Sequence, residues 1–349
     1  MSAVANVLAI DVGWGTTLTL KALLILVIIP TSALVLGYVF LMKVMSHMQS
    51  RLGPMDAGPH GTLQLVADGA KFIQKEDIMP AGADRMVFAL APVIVLMSTF
   101  LVFVPIPAGP DLVVANLDVG VFYVLAVSSL SVIGVLMAGW ASSNKYALLG
   151  ALRAAGQLIA YELPLLLAVV GVVIQAGTMN LQGIVAAQSQ GEIFGWGGIG
   201  NPFILTQFVG FALFMVAAQA ELTQPPFDMP VAESELVTGY MVEYTGFRFL
   251  FFFIGEFATA AAFAALAATL FFGGWSLPWF DAHTDVAVLR IAGPIVLITK
   301  VMLIAFIFFW ARFTYPRFRE DQLQSMAWKV LIPIGLANIV ITAFFKVAF

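Results

Sequence analysis

The stretch AELTQPPFDMPVAESELVTGYMVEY, residues 220–244, holds five carboxylates, Glu221, Asp228, Glu233, Glu235 and Glu243, and no Lys or Arg. Like charges this close repel, so unless they are solvated or paired some of them must have pKa values raised toward neutrality. Carboxyls poised in that way can load and release protons near pH 7. A solvated acidic loop would be polar throughout, but this one is interleaved with Phe227, Met229, Val231, Leu236, Val237, Tyr240 and Tyr244. Apolar residues at 236, 237, 240, 241 and 244 have helical spacing, whereas the prolines of QPPFDMP forbid a helix running through them. The pattern predicts a structured, half-buried, acid-lined element.

The elements that must position it are read from the apolar runs. Of the 349 residues 61% are hydrophobic and 10% charged, and the mean hydropathy is +0.98, which excludes an ordinary water-soluble domain. Runs of about 20 apolar residues match a hydrocarbon core roughly 30 Å thick, and no strand pattern of an outer-membrane barrel appears. The expected fold is an all-α membrane protein of about eight transmembrane helices, as a single helical domain over 1–349. The spans fall near 20–45, 86–105, 117–140, 158–175, 203–220, 247–272, 286–310 and 327–347. Residues 1–19 carry Asp11 but no Lys or Arg, so the first span is expected to be a retained helix, not a cleaved signal.

Placing both termini outside puts twelve of the sixteen Lys and Arg on the inner side. The inner loops are then 46–85, 221–246 and 311–326. The first contains TLQLVADGAKFIQK, whose apolar residues at 63, 66, 70 and 73 suit a short amphipathic helix lying in the membrane interface. In the third loop, bases can serve as topology signals or as a docking surface. The outer stretch GEIFGWGGIGNP, 191–202, matches GxGxxG at Gly195, Gly197 and Gly200 but precedes a membrane helix, so it is expected to be a flexible loop that binds no nucleotide.

Three charges lie well inside spans, where each costs about 2.5–3.5 kcal/mol and calls for a partner, water or a function. Glu162 stands two residues before Pro164, Glu256 about two and a half turns into the sixth span, and Lys300 mid-way through the seventh. Glu162 can snorkel to the interface or join a proton path. Glu256 and Lys300 can pair with each other or belong to that path. There is no cysteine, so thiolate zinc sites and cysteine-held iron–sulfur clusters are excluded. His47, His60 and His283 lie far apart without ligand spacing, and no metal site is expected.

The same acid-rich stretch resembles the signature A-E-x-x-R-x-P-F-D-L-P-E-A-E-S-E-L-x-x-G-F-x-x-E-Y of the H subunit of bacterial NADH:quinone oxidoreductase, respiratory complex I, the counterpart of mitochondrial subunit one. QSRLGP with AGPHG, LQLVADGAKFIQKEDIMPAGADRMVFALAP, AGWASSNKYALLGALRAAGQLIAYE and PRFREDQL with WKVLIP agree in order, so the resemblance covers nearly the whole chain. It implies an eight-helix proton-translocating subunit of the bacterial inner membrane. Its inner loops would dock the peripheral arm and, with it, form the quinone chamber, beside other membrane-arm subunits. By position, the resemblance assigns Gln49, Arg51, Phe227 and Asp228 to the quinone passage. It assigns Asp84, Glu162, Glu221, Glu233, Glu235, Glu243 and Glu256 to the protonatable series. No cofactor is expected on this chain: quinone would be the substrate, and FMN and iron–sulfur clusters would sit on partner subunits. No nucleic acid is implied.

The chain departs from the pattern at Leu41, Met42 and Lys43, at Met55 and Asp56, at Gln224 where the signature has Arg, and at Val231 where it has Glu. These departures bear on the quinone used, on the number of protonatable groups and on the tightness of coupling. Two other functions remain open on sequence. One is the related membrane subunit of an energy-converting hydrogenase or formate hydrogenlyase, which nickel-ligand cysteines in a partner chain would favour. The other is a self-sufficient secondary transporter, which would show internal repeats; none is visible.

Overall fold

A computed structural model describes residues 14–110, 112–190, 200–277 and 286–348. Trp14 and Glu233 are described as backbone only, as are residues 286–289. His283 and most of the GxGxxG stretch lie outside the described residues.

Among the described residues the regular structure is helical. Helix α1 (Trp14–Leu36) continues through a π-helical stretch (Gly37–Val44) to Met48. There follow α2 (Gln64–Gln74), α3 (Arg85–Val102), α4 (Gly120–Ala141), α5 (Lys145–Ala176), α6 (Leu181–Gln190), α7 (Phe208–Glu221), α8 (Gly246–Phe271) and α9 (Val286–Thr314). The last span, α10 (Glu320–Ala348), also contains a π-helical turn, Ala327–Leu331. Seven of these are long and apolar enough to cross a membrane. The exception among the eight expected spans is α7, whose 14 residues reach about 21 Å at 1.5 Å per residue, short of a full crossing.

Helices α5 and α8 form the centre. The inner part of α8 is AAAFAALAA, and residues 260–268 are all buried. Small side chains there let neighbouring backbones come close, which is how helices pack where lipid gives no hydrophobic drive to associate. Polar side chains tie the helices together. Thr99 of α3 meets Thr259 of α8 at 2.8 Å, and Gln207, just before α7, donates to Thr342 of α10 at 2.7 Å while accepting from Asn338 at 3.0 Å. Outward faces of α1, α9 and α10 expose large apolar residues such as Leu23, Ile291 and Phe344, as lipid-facing helices do.

The connections after α1, α4, α7 and α9 meet at one end of the bundle. Asp84 N–H donates to Ala141 C=O, Ser143 Oγ to Gly82 C=O, Thr245 Oγ1 to Glu76 C=O and Phe318 N–H to Pro226 C=O. Helix α2 lies against this end, as expected. Leu65 approaches Gly37, and the Phe72 ring stacks 5.5 Å from Phe249 of α8. The expected apolar stripe, Leu63, Val66 and Ile73, is left more than half exposed at 55, 51 and 68%.

Lys300 and Glu256 do not pair with each other. The Lys300 ammonium donates its three hydrogens to the carbonyls of Phe272, Gly274 and Ser276, at 2.7–2.9 Å, just beyond the last turn of α8. Glu256 is sixteen residues earlier than Phe272, about 24 Å along a helix, and takes its partners from elsewhere. The helix end attracts a cation because its last carbonyls have no intrahelical donor.

The acid-rich segment is not one helix. It has single helical turns at Glu233–Leu236 and Gly239–Met241, separated by Val237 at φ +65°. Gly239 has φ +57°, and a Cβ built there would collide with the Pro230 carbonyl oxygen. On the facing helix, a Cβ on Gly150 would stand 2.7 Å from Gly239 Cα. Contact between these glycines is what seats the segment on α5. Gly239→Ala should therefore destabilise the protein by at least about 2 kcal/mol, from a strained backbone plus a steric clash, seen as a lower thermal midpoint in detergent.

Candidate functional site

The site is built where α7 ends and the chain turns back to α8. Glu221 is the last residue of α7, and its Oε2 is buried with no hydrogen-bond partner among the described residues. Glu162, on α5 beside Pro164, is close enough for its charge to act on Glu221. The two acids read separately from the sequence are thus one pair.

Beyond the two prolines, Asp228 forms a second group. Its Oδ2 accepts from Arg317 at 3.1 Å, and Arg317 also donates to Ser234 Oγ at 3.2 Å. On the neighbouring helices, Glu256 Oε1 accepts from Gln224 Nε2 at 3.2 Å and lies 3.4 Å from Arg312. With its side chain only 14% exposed, Asp228 has its carboxyl pushed up to about 6, chiefly by burial. The Arg317 and Arg312 charges and the Arg317 hydrogen bond oppose that rise, and the nearby Glu256 carboxylate adds to it. The Tyr240 phenol is also pushed up, first by burial and then by Glu256 and Asp228, so the ring stands beside both acids.

Phe227, assigned by resemblance to the quinone passage, is 4% exposed. Its ring lies 5.3 Å from Tyr161 in an edge-on contact and 5.6 Å from Phe318. Within this chain it is a packed anchor of the turn, next to Asp228 and not in contact with Gln49 or Arg51. That pair lies exposed after α1, where Arg51 Nε donates to Gln49 Oε1 at 2.8 Å.

The remaining acids sit nearer the rim. Glu235 Oε2 accepts from Arg153 of α5 at 2.6 Å, and Arg153 reaches Glu320 of α10 at 3.7 Å. Glu235 and Glu320 are 52 and 58% exposed, so this triad ties loop to helices but is well screened. Glu243 accepts from Asn144 Nδ2 at 2.6 Å, while the other end of that amide caps α5 through Tyr146 N–H. Asp84 caps α3, accepting from Met86 and Val87 N–H at 3.1 and 3.3 Å. The Glu233 side chain lies outside the described residues. No group of three or more His, Asp or Glu side chains that could hold a metal ion occurs among the described residues.

The sequence marks Arg153 as a topology signal, Arg312 and Arg317 as topology signals or part of a docking surface, and Gln224 only as a departure from the family signature, while nothing in it singles out Gln157 or Gln219. A signal was available for Arg312: it stands at the lipid end of a span, where an arginine needs an acceptor. Nothing in the spacing pairs Arg317 with Asp228, 89 residues away.

The fold and site define a polytopic helical membrane protein with buried, arginine-balanced carboxylates at one end of the bundle. Residues 20–343 match the family model described as NADH dehydrogenase. A relative from Brevibacillus brevis, named as the H subunit of NADH-quinone oxidoreductase, is 47% identical over 335 residues, covering 95% of this chain and 94% of its own. Relatives of the same name from Anoxybacillus flavithermus and Anaeromyxobacter dehalogenans are 47 and 39% identical, covering 88 and 99% of this chain and 87 and 88% of theirs. The chain belongs to the NADH dehydrogenase family, in the branch whose members are named as the H subunit of NADH-quinone oxidoreductase.

The pH dependence of Asp228 follows from its environment. A carboxyl raised from 3.8 to about 6 contributes stability that is complete below 3.8 and is lost as pH rises through about 6. A protonated-carboxyl infrared band that disappears in Asp228→Asn should be present at about pH 5 and gone by about pH 7.5. In Arg317→Leu the band should persist to higher pH, because the charge that favours ionisation is removed.

Proposed function

We propose that this chain is the membrane subunit of a proton-translocating NADH:quinone oxidoreductase of a bacterial inner membrane. In this reading it forms one wall of the quinone chamber and carries the carboxylates that couple quinone reduction to proton movement. Family membership supports the complex, and the Asp228–Arg317 and Glu256–Arg312 groups support the coupling role. The single observation that carries the mechanism is that Asp228 and Glu256 face one another electrostatically, each with its own arginine, at the end where the connections converge.

That end is taken as the inner face, since it carries the basic connections, so both termini lie outside. Loops 46–85, 221–246 and 311–326 dock the peripheral arm, which holds the FMN and iron–sulfur clusters. Helix α2 presents its exposed Leu63, Val66 and Ile73 toward lipid or that arm. Quinone approaches past Gln49 and Arg51 toward the turn that carries Phe227 and Asp228. Reduction of quinone draws in protons and changes the charge beside Asp228. A buried acid responds to such a change by shifting its proton affinity, because Coulomb interactions are weakly screened there. Asp228 and Glu256 then reload, with Tyr240 beside both. Glu221 and Glu162 pass the change on toward neighbouring membrane-arm subunits. Asp84, Glu233, Glu235 and Glu243 complete the protonatable series at the rim.

The test uses the complex purified from native membranes and placed in liposomes. Peripheral and membrane-arm subunits should co-purify, and rotenone- or piericidin-type inhibitors should block quinone reduction. Glu235→Gln and Glu243→Gln should each assemble yet depress quinone reduction and proton translocation together, by about tenfold. Normal translocation in both would defeat these roles.

A further inference from the structure

Gln157 has no part in the path above, yet it is the polar side chain most tightly engaged with the turn that carries the path. It lies on α5, 1% exposed, and its Nε2 donates to two backbone carbonyls, Ala220 and Phe227, each at 2.7 Å. Ala220 precedes Glu221 and Phe227 precedes Asp228. A single amide group therefore uses both hydrogens to clamp the backbone beside one buried acid to the backbone beside the other.

The turn needs such a clamp. Pro225 and Pro226 have no N–H, so this stretch can make few bonds of its own. It keeps Thr223 N–H to Ala220 C=O and Phe227 N–H to Gln224 C=O, while Gln219 Nε2 supports Pro225 C=O at 2.8 Å. One helical turn along α5 from Gln157, Tyr161 holds the Phe227 ring edge-on and donates to Leu323 C=O of α10. Gln157 is thereby fixed on a central helix, and the two carbonyls it holds cannot separate without breaking one of the two hydrogen bonds of its buried amide. The other end of the same amide, Oε1, is buried with no protein donor, so turning the amide over would bring two carbonyls against an oxygen.

We propose that Gln157 is a positioning residue that makes the Phe227–Asp228 backbone and the Ala220–Glu221 backbone move as one body. A displacement on the quinone side then reaches Glu221 without first breaking the turn. This inference rests on the proposed coupling role of the two acids, and it assigns no proton transfer to Gln157 itself.

The intact complex in liposomes tests it, reading the quinone reduction rate and the protons moved per quinone reduced. Gln157→Leu, similar in size and without donors, should keep the reduction rate within about threefold while the proton ratio falls to about half or less. Gln157→Glu keeps the shape, but its carboxyl has at most one hydrogen to donate and cannot hold both carbonyls in either protonation state, so its proton ratio should fall as in Gln157→Leu. An unchanged ratio in Gln157→Leu overturns the proposal. So does an equal loss of rate and translocation that leaves the ratio intact. If Gln157→Leu fails to assemble, a normal proton ratio in Gln157→Glu overturns it alone. Glu221→Gln in parallel separates the two levels: normal pumping there defeats the path reading, whereas depressed pumping there with a normal Gln157→Leu defeats only the clamp.

Discussion

Backbone that leaves helical geometry where it is buried must find partners for its carbonyl and N–H groups within the protein, and much of the stretch from Leu222 to Thr245 is such backbone. Its three prolines and left-handed Val237 and Gly239 prevent it from making a ladder of its own bonds. Donors reach it from several sides: Gln157 of α5 to Phe227 C=O, Gln219 of α7 to Pro225 C=O, Phe318 N–H to Pro226 C=O and Arg317 to the Asp228 carboxylate, while Gln224 and Arg312 donate to Glu256 of α8. The same neighbours that make the turn tolerable determine the charge around its acids, so structure and chemistry here have one cause.

Cations in this chain are used according to what they are close to. Lys300 spends all three hydrogens on carbonyls beyond α8, a structural anchor at the far end of that helix from Glu256. Arg312 and Arg317 divide between Glu256 and Asp228, so neither acid is left without a counter-charge, yet burial still lifts Asp228 above the usual carboxylate range. A pair of that kind is not strong evidence for stability, since desolvation can outweigh the attraction. It gives a carboxyl whose ionisation answers to a small change in local charge. At the rim, the Glu235–Arg153–Glu320 contacts are exposed and well screened.

Much of the architecture was legible in the sequence, and the reasons are local. Apolar run length marks eight spans, seven of which are long enough to cross a membrane while α7 is short, and prolines in QPPFDMP mark the break that follows α7. The period of the 63–73 stretch marks α2 as an amphipathic helix, while its contacts to the bundle, Leu65 at Gly37 and Phe72 at Phe249, depend on where those residues lie in the fold. Helical spacing over 236–244 misled, because Gly239 is needed for a close backbone contact with Gly150 that no periodicity records. The acids were found as a set from composition alone. Their grouping was not, since Glu162 with Glu221, Asp228 with Arg317, and Glu256 with Arg312 and Gln224 join residues 32 to 89 positions apart or on separate helices.

The sequence by itself determined that this is a helical membrane protein with an unusual concentration of carboxylates beside a proline-broken turn, because hydropathy, proline geometry and charge content are properties of the chain read in order. Only the tertiary structure decided which acids are buried, which cation each one faces and which amide clamps the turn. Those depend on distances of a few ångströms between helices, where the cost of burying a charge is met or not met by a partner that sequence order does not reveal.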